Sequence, residues 1–348
     1  MWQPLKHISL KLVTRPPLLS LDDALAQLLA SLKSSALPLG RTESVSTFDA
    51  DGRVLAEDVI SALQVPAFDN SSMDGYAVRI ADLQASSVLP CKLRVPAGQS
   101  PSALPEGEIA RIFTGAPIPF GADAVVMQED CTDLGDGTVR INVMPTKAQW
   151  IRHAGEDVCK GTAVLARGAR LSPAELGLVA SIGMANLTVA AKPRVALFST
   201  GDELVMPGAV APADMRAGSI YNSNRFFLRA LLVRMGCEVT DLGIVPDDRA
   251  ATVQALSNAA LRHDLILTSG GVSVGEEDHI KPAVQQLGEL NLWQIAMKPG
   301  KPFAFGRVDK TYFVGLPGNP VSSFVTFILL VRPLLLQLQG TTGVALQS

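Results

Sequence analysis

The segment Thr268-Ser-Gly-Gly-Val-Ser-Val-Gly-Glu-Glu-Asp-His279 concentrates more potential chemistry than any other in this 348-residue chain. It follows Asp264-Leu-Ile-Leu-Thr268, a short apolar run with the pattern of a buried strand. Gly270, Gly271 and Gly275 let the backbone turn tightly and present its N–H groups, a surface suited to an anion. Plain anion binding needs no carboxylates, yet Glu276, Glu277 and Asp278 share the loop. Amides that cradle an anion beside carboxylates point to a phosphorylated ligand together with a divalent cation. The spacing is not that of a P-loop, because Glu276 and Glu277 follow Gly275 where Lys and Ser/Thr would stand. Taken alone, the segment also fits a strand-to-helix connection with solvated acids.

Further segments add to the first reading. Lys298-Pro-Gly-Lys-Pro302 sets two ammonium groups on a proline-stiffened turn, where fixed cations can capture a compact oxyanion with little ordering cost. Gly315-Leu-Pro-Gly-Asn-Pro-Val-Ser322 lies between a strand and an apolar helix, and Ser322 and Ser323 stand near that helix start, a place that attracts anions. Glu203, Asp247, Asp248 and Asp278 supply carboxylates on the same rim. Far upstream, the polar, turn-prone stretch from Val65 to Val78 reads as an exposed loop with Asp69 and Asp74 as its carboxylates. Arg111-Ile-Phe-Thr-Gly-Ala-Pro117 places Thr114 and Gly115 at a turn, for which a plain β-turn without a ligand is the alternative. No Ser-His-Asp order, nucleophile elbow or Gly-x-Gly-x-x-Gly fingerprint supports a hydrolase or dinucleotide reading.

The elements that must position these groups follow from periodicity. Ser20-Leu-Asp-Asp23 is a helix start, and Leu21 to Leu32 continues with helical spacing. Glu43 to Val65 reads as short strands and turns, and residues 88–150 as a small all-β region dense in Pro and Gly. Ser172-Pro-Ala-Glu175 caps a second helix that Gly183 stops. From Pro193 onward, strands at 194–199, 237–245, 265–268, 292–297 and 311–314 alternate with helices at 223–235, 248–262 and 279–287. Such alternation implies an α/β unit with a mostly parallel sheet covered on both faces, three layers in all. Ligands of such sheets bind beyond the carboxyl ends of the strands, where the loops described above fall.

Composition sets the outer bounds. Apolar residues make up 47% and charged residues 18%, which describes a folded globular protein. A net charge of −3 gives no general attraction to nucleic acid or anionic membrane. Cys91, Cys131, Cys159 and Cys237 form no Cys-x-x-Cys pair, which argues against structural zinc, and scattered thiols without a secretion signal suit a cytoplasmic protein. Phe324 to Leu336 is apolar but shorter than the roughly 20 residues of a membrane span, so a buried helix is expected.

Seven ordered motifs carry a family resemblance over nearly the whole chain. They are Phe68-Asp-Asn-Ser-Ser-Met-Asp-Gly-Tyr-Ala-Val78, Thr114-Gly-Ala-Pro117, Gly155-Glu-Asp157, Ser199-Thr-Gly-Asp-Glu203, Ser269-Gly-Gly-Val-Ser-Val-Gly275, Lys298-Pro-Gly-Lys-Pro-Phe303 and Leu316-Pro-Gly-Asn-Pro-Val-Ser322. The chain resembles the molybdopterin molybdenumtransferases, including the E domain of gephyrin. The resemblance implies insertion of molybdate into adenylylated molybdopterin, assisted by Mg2+, with release of AMP. It also implies a homodimer whose cleft joins the sheet domain of one subunit to the β domain of the other, and a molybdopterin adenylyltransferase as a partner.

By motif match, Asp278 and Glu203 are the catalytic and metal-site carboxylates with Asp247 behind them, and Asp69 and Thr114 reach the cleft from the partner subunit. Lys298, Lys301, Pro302 and Ser322 fall on the molybdate side, and Ser269, Gly270, Gly271 and Ser273 on the pterin-phosphate side. The implied division is a poorly ordered leader at 1–17, a helix at 18–36 associated with the sheet domain, a mixed linker domain at 37–63 and 148–190, an inserted small β domain at 64–147, and an α/β molybdopterin-binding domain at 191–340. Family members continue into a C-terminal β-barrel that this sequence is expected to lack. The rival readings are a non-catalytic dimeric scaffold and a related adenylyltransferase, which would not need the 69–114 region.

Overall fold

The computed structural model describes residues 18–32, 40–100, 102–271 and 279–342, and every structural statement below concerns these. The Ser20 hydroxyl accepts the Asp23 N–H at 3.0 Å and starts α1 (Leu21–Ala30), which buries Ala24, Leu25 and Leu28. Strands Thr42–Ser46 and Asn186–Ala190 pair antiparallel, as do Val59–Ile60 and Ala163–Leu165. These surround α2 (Pro173–Ser181), which opens on a complete Ser172/Glu175 capping box. The group closes on a core of Leu55, Leu171, Val179, Leu187 and Val189.

Between them lies a six-stranded sheet of β1 (Gly75–Val78), β2 (Val88–Val95), β3 (Ile109–Ile112), β4 (Ala124–Met127), β5 (Cys131–Asp133) and β6 (Thr138–Ile141), in the order β4-β1-β3-β2-β6-β5. Here the expected exposed loop at 65–78 is corrected. Asn70 and Ser71 are buried, and β1 sits inside the sheet, antiparallel to both β3 and β4. The reason is Tyr76-Ala-Val78: Val78 enters the core on one face and Ala77 the core on the other.

The second large sheet contains β7 (Arg194–Thr200), β8 (Glu238–Val245), β9 (Leu265–Ser269), β10 (Gly288–Gln294), β11 (Pro302–Val308) and β12 (Thr311–Leu316), in the order β8-β7-β9-β12-β11-β10. β8, β7, β9 and β12 are mutually parallel, and β11 opposes both of its neighbours. β10 therefore runs with the parallel set, and its carboxyl end reaches the same edge. The strand expected at 292–297 begins earlier and stops at Gln294, and β11 was not anticipated. Pro302 is tolerated because it opens its strand.

Successive residues of β7 alternate between two cores. Val195 and Leu197 meet α1, α3 (Asn224–Arg234) and the C-terminal helix, while Ala196 and Phe198 meet α4 (Arg249–Ala260) and α5 (Ile280–Leu287). The C-terminal helix comprises α6 (Pro320–Thr326), a π-helical turn at Phe327–Val331 and α7 (Arg332–Leu338). At 19 residues and mean hydropathy 1.9 it is longer than the apolar run suggested and meets the length of a membrane span. Its most apolar stretch is 61% buried within the protein, with Val331, Leu334 and Leu335 inaccessible, so it serves as a core helix.

One half-buried carboxylate joins these parts. Asp264 accepts from the Arg194 backbone at 2.8 Å, from the Arg194 guanidinium at 3.2 Å and from Arg41 at 2.7 Å. Burial pushes its carboxyl up, but the bonds from Arg194 and Arg41 outweigh burial and hold it below its ordinary value.

Candidate functional site

A cavity of about 280 Å³ opens at the carboxyl edge of the large sheet, lined by Thr200, Glu203, Tyr221, Asn222, Asn224, Ser269, Gly318 and Asn319 among others. The buried Ser269 hydroxyl, at the end of β9, lies 2.6 Å from Asn224 Nδ2. The same nitrogen donates to the Gly318 carbonyl at 2.8 Å, tying β9 to the loop after β12. A carbonyl only accepts, so this bond fixes the amide's orientation and leaves Asn224 Oδ1 without a partner. Asn222 is fixed in the same way: its Oδ1 accepts from Arg225 N, and its Nδ2 is unpartnered. Ser199 Oγ and Thr268 Oγ1, each one residue before the end of its strand, are also without partners among the described residues. Buried polar atoms normally have partners, so four such atoms at one edge mark a place built to meet something.

Glu203 is exposed on the turn after β7, with its carboxylate folded over Gly201, where a Cβ would stand 2.5 Å from Oε2. Gly270, at φ +93°, allows β9 to turn against β7, since a Cβ there would lie 2.9 Å from the Thr200 carbonyl. Asp247 is half-buried between β8 and α4 and does not line the cavity. Asp248 caps α4 by accepting the Ala251 N–H at 2.8 Å, which gives it a structural role. Ser273 and Asp278, with Gly275, Glu276 and Glu277, lie outside the described residues.

Lys298 and Lys301 are exposed on the connection from β10 to β11, and neither joins an ion pair among the described residues. Gly300 between them approaches the start of α6, with the Ser322 carbonyl 3.6 Å from where its Cβ would stand. Pro302 follows as the first residue of β11. The Ser322 N–H is already used by the Asn319 side chain at 3.0 Å, and the Ser323 hydroxyl donates to the Pro317 carbonyl. The expected donors at this helix start are therefore partly committed to its own cap.

On the smaller sheet, Asp69 accepts from Ala154 N at 2.8 Å and faces His153 Nδ1 at 3.3 Å. Thr114 meets the other carboxylate of that segment: its N–H and its hydroxyl each donate to Asp74 Oδ1 at 2.8 Å. Those two bonds, backbone first, hold the Asp74 carboxyl below its ordinary value, and Arg111 assists. Among the described residues, no hydrogen bond or ion pair links Asp69, Asp74 or Thr114 to Glu203, Ser269, Lys298 or Lys301. No group of three or more His, Cys, Asp or Glu among the described residues is arranged to hold a metal ion.

Two family models account for most of the chain: the MoeA N-terminal region (domain I and II) matches residues 19–183, and a probable molybdopterin binding domain matches residues 196–337. A molybdopterin molybdenumtransferase of Haemophilus influenzae is 46% identical over 324 residues, which cover 93% of this chain and 78% of that protein. This chain belongs to the molybdopterin molybdenumtransferase family. Gephyrin of Dictyostelium discoideum is 34% identical over 86% of this chain and 47% of its own length. The solved molybdopterin biosynthesis moeA protein of Pyrococcus horikoshii OT3 superposes with a TM-score of 0.78 at 29% identity, covering 95% of this chain and 82% of that one. The mixed α/β fold is shared with it.

In this molybdenumtransferase-family chain, a hollow of about 540 Å³ also opens at the Lys298–Lys301 turn, and two larger ones lie away from the polar edge. One of about 850 Å³ lies between β8 and α4, and one of about 840 Å³ lies beside α2 under Phe48. Neither gathers unpartnered polar atoms, so the smaller cavity is the stronger candidate. Sequence reasoning named neither Asn222 nor Asn224, whose type and position look like a helix start. Asp74 it noted only as a loop carboxylate.

Proposed function

We propose that this protein inserts molybdate into adenylylated molybdopterin and releases AMP. The observation that carries this reading is the carboxyl-edge cavity, where Asn222 and Asn224 hold buried polar atoms without partners among the described residues, with Ser199 and Thr268 in the same state at the nearby strand ends. On this reading Ser269, Gly270 and Gly271 face the pterin-phosphate, with Ser273 beyond the described residues. Lys298, Lys301, Pro302 and Ser322 face molybdate, a small dianion suited to two exposed ammonium groups on a short turn. Glu203 and Asp278 act as catalytic carboxylates, with Asp247 behind them.

The reading includes Mg2+. Mg2+ is commonly held by one or two carboxylates plus substrate phosphates, and the exposed Glu203 carboxylate fits that donor chemistry where a cage of three acids is lacking among the described residues. Glu203 and Asp278 would hold it, and when bound it would polarise the phosphoanhydride as a Lewis acid. The finer architecture belongs to the same reading: a three-layer sheet domain at 191–340, an inserted β domain at 64–147, a linker domain at 37–63 and 148–190, cytoplasmic location and an adenylyltransferase partner.

Asp69 and Thr114 reach the cleft from the second subunit of a homodimer, near twice 36.8 kDa. Mixing an Asp69→Ala chain with a Glu203→Gln chain should then restore part of the activity that each lacks alone. The direct test is AMP release from adenylylated molybdopterin with Mg2+, with and without molybdate. Molybdate-dependent release is expected; binding of the substrate without release would leave a scaffold.

A further inference from the structure

On the smaller sheet, Arg94 of β2 and Arg111 of β3 are partners on adjacent parallel strands. Both guanidiniums lie over one ring, with their Cζ atoms 4.6 and 4.9 Å from the Phe113 centroid, and Arg111 also faces Tyr76 at 5.1 Å. Like charges on neighbouring strand positions repel. Among the described residues, neither guanidinium joins an ion pair. Arg111 is held in place by bonds to the Gly75 carbonyl at 3.2 Å and to Gln128 Oε1 at 2.5 Å. Arg94 is exposed and rests over the Phe113 ring.

The pair borders a region already singled out. Phe113 precedes Thr114, and Ala97, just past the end of β2, lies 3.9 Å from where a Gly115 Cβ would stand. The two guanidiniums therefore sit beside the Asp74–Thr114 contact, with Arg111 close enough to act on the Asp74 charge but in no direct ion pair with it. A guanidinium offers planar paired donors that match a phosphoryl group two bonds at a time, and an aromatic platform lowers the ordering cost. We propose that Arg94 and Arg111 form a phosphoryl-binding subsite, used by the phosphate-bearing end of the substrate. The identity of that substrate rests on the function proposed above; the subsite itself rests on the arginine geometry alone.

The shared chemistry is a tetrahedral oxyanion, and molybdate is its other source. The test titrates inorganic pyrophosphate and, separately, molybdate into the full chain and into Arg94→Gln, Arg94→Lys and wild-type forms of matched melting temperature. Arg94 is the position to change, because Arg111 also supports the Gly75 backbone. Pyrophosphate binding should weaken about 10- to 100-fold in Arg94→Gln, the scale of one lost charge-assisted contact. Arg94→Lys should recover only part of it, and molybdate binding should change little. Equal pyrophosphate binding by wild type and Arg94→Gln would overturn the subsite, as would an equal loss for molybdate. In turnover, Arg94→Gln should raise KM about 10-fold with kcat kept, the mark of lost uniform binding. An unchanged KM would remove the subsite from substrate recognition. Absence of turnover in the wild type would defeat the proposed function, while the pyrophosphate titration would still decide the subsite.

Discussion

The two polar regions of this molecule are built in opposite ways. At the carboxyl edge of the large sheet, Asn222, Asn224, Ser199 and Thr268 are buried with atoms left unsatisfied. Beside the smaller sheet, the Asp74 carboxylate is exposed, and its Oδ1 accepts both donors of Thr114. An unsatisfied buried group raises the energy of the empty protein, so a ligand that supplies the partner gains that energy back. An exposed group, solvated and anchored by one oxygen, stores nothing of the kind; it holds a charge in a fixed place. The first region is suited to binding and the second to presenting a charge to something bound elsewhere.

The harshest way to break the comparison is to remove one side of it. A Cβ at Gly75 would stand 1.9 Å from the Val126 carbonyl oxygen and 3.0 Å from Met127 Cα, both backbone of the neighbouring strand. Backbone on a paired strand cannot step aside, so Gly75→Ala should cost about 3 kcal/mol or more, the upper end for overpacking. Chemical denaturation followed by Trp293 fluorescence, in a background with Trp2 and Trp150 replaced by Phe so that the signal reports the large sheet, would show whether that sheet survives. Survival would mean that the two regions fold separately; joint loss would mean that they do not.

Asn224→Ala attacks the other side. It removes both tethers to Ser269 and Gly318 and leaves their oxygens to find new partners. A loss of about 2–3 kcal/mol is expected from unsatisfied buried groups, together with loss of ligand binding. Full stability in this variant, measured by urea unfolding, would show that the tether is not structural.

How much of this contrast could be read from the sequence depended on distance along the chain. The strands at 194–199 and 265–268 are runs of residues buried on both faces, the edge strand at 237–245 alternates exposed and half-buried residues over most of its length, and Ser172-Pro-Ala-Glu175 is a helix start complete within four residues. Such local signals survive folding. β11 was hidden because Lys298-Pro-Gly-Lys-Pro302 reads as a turn up to its first residue. The Thr114–Asp74 contact spans 40 residues and exists only because β1 and β3 pair with Gly75 opposite Ile112. Asn224 looks like a capping residue, and its reach to Ser269, 45 residues on, follows from the crossover that packs α3 on β7 and β8 and brings its first residue to the end of β9. Of the Gly-rich segment after β9, residues 272–278, Asp278 among them, lie outside the described residues.

A milder change probes the linkage between parts. Asp264→Asn keeps the shape but loses the charge that Arg194 and Arg41 hold. Both arginines are more than a third exposed, so the cost is discounted to about 1 kcal/mol. The sign with pH follows from the depressed carboxyl. Its stabilisation is complete above the ordinary carboxylate value near 3.9 and is lost as pH falls through the lower folded value. Wild type and Asp264→Asn should therefore converge in stability on acidification below about pH 4, and a constant difference down to pH 2 would assign the effect to packing instead.

The smallest effect on folding should come from Asp74→Asn, and it is the sharpest test of the contrast. Asparagine keeps an oxygen where Asp74 Oδ1 accepts the N–H and hydroxyl of Thr114, so the turn should keep its geometry. The side chain is exposed, so no buried charge is stranded and the melting temperature should stay within error. Only the negative charge is gone. If that charge is what the region presents, AMP release should fall about 100-fold, the scale of losing one fixed electrostatic group at a reacting centre. Because Thr114 holds the carboxyl below its ordinary value, Asp74 stays ionised from pH 5 to 8. The residual rate should then follow the same pH profile as wild type across that range, merely lower. A wild-type rate in Asp74→Asn would confine the reaction to the carboxyl edge and reduce Asp74–Thr114 to a turn. A profile whose shape changes would place a titrating partner beside Asp74 that its hydrogen bonds to Thr114 do not account for.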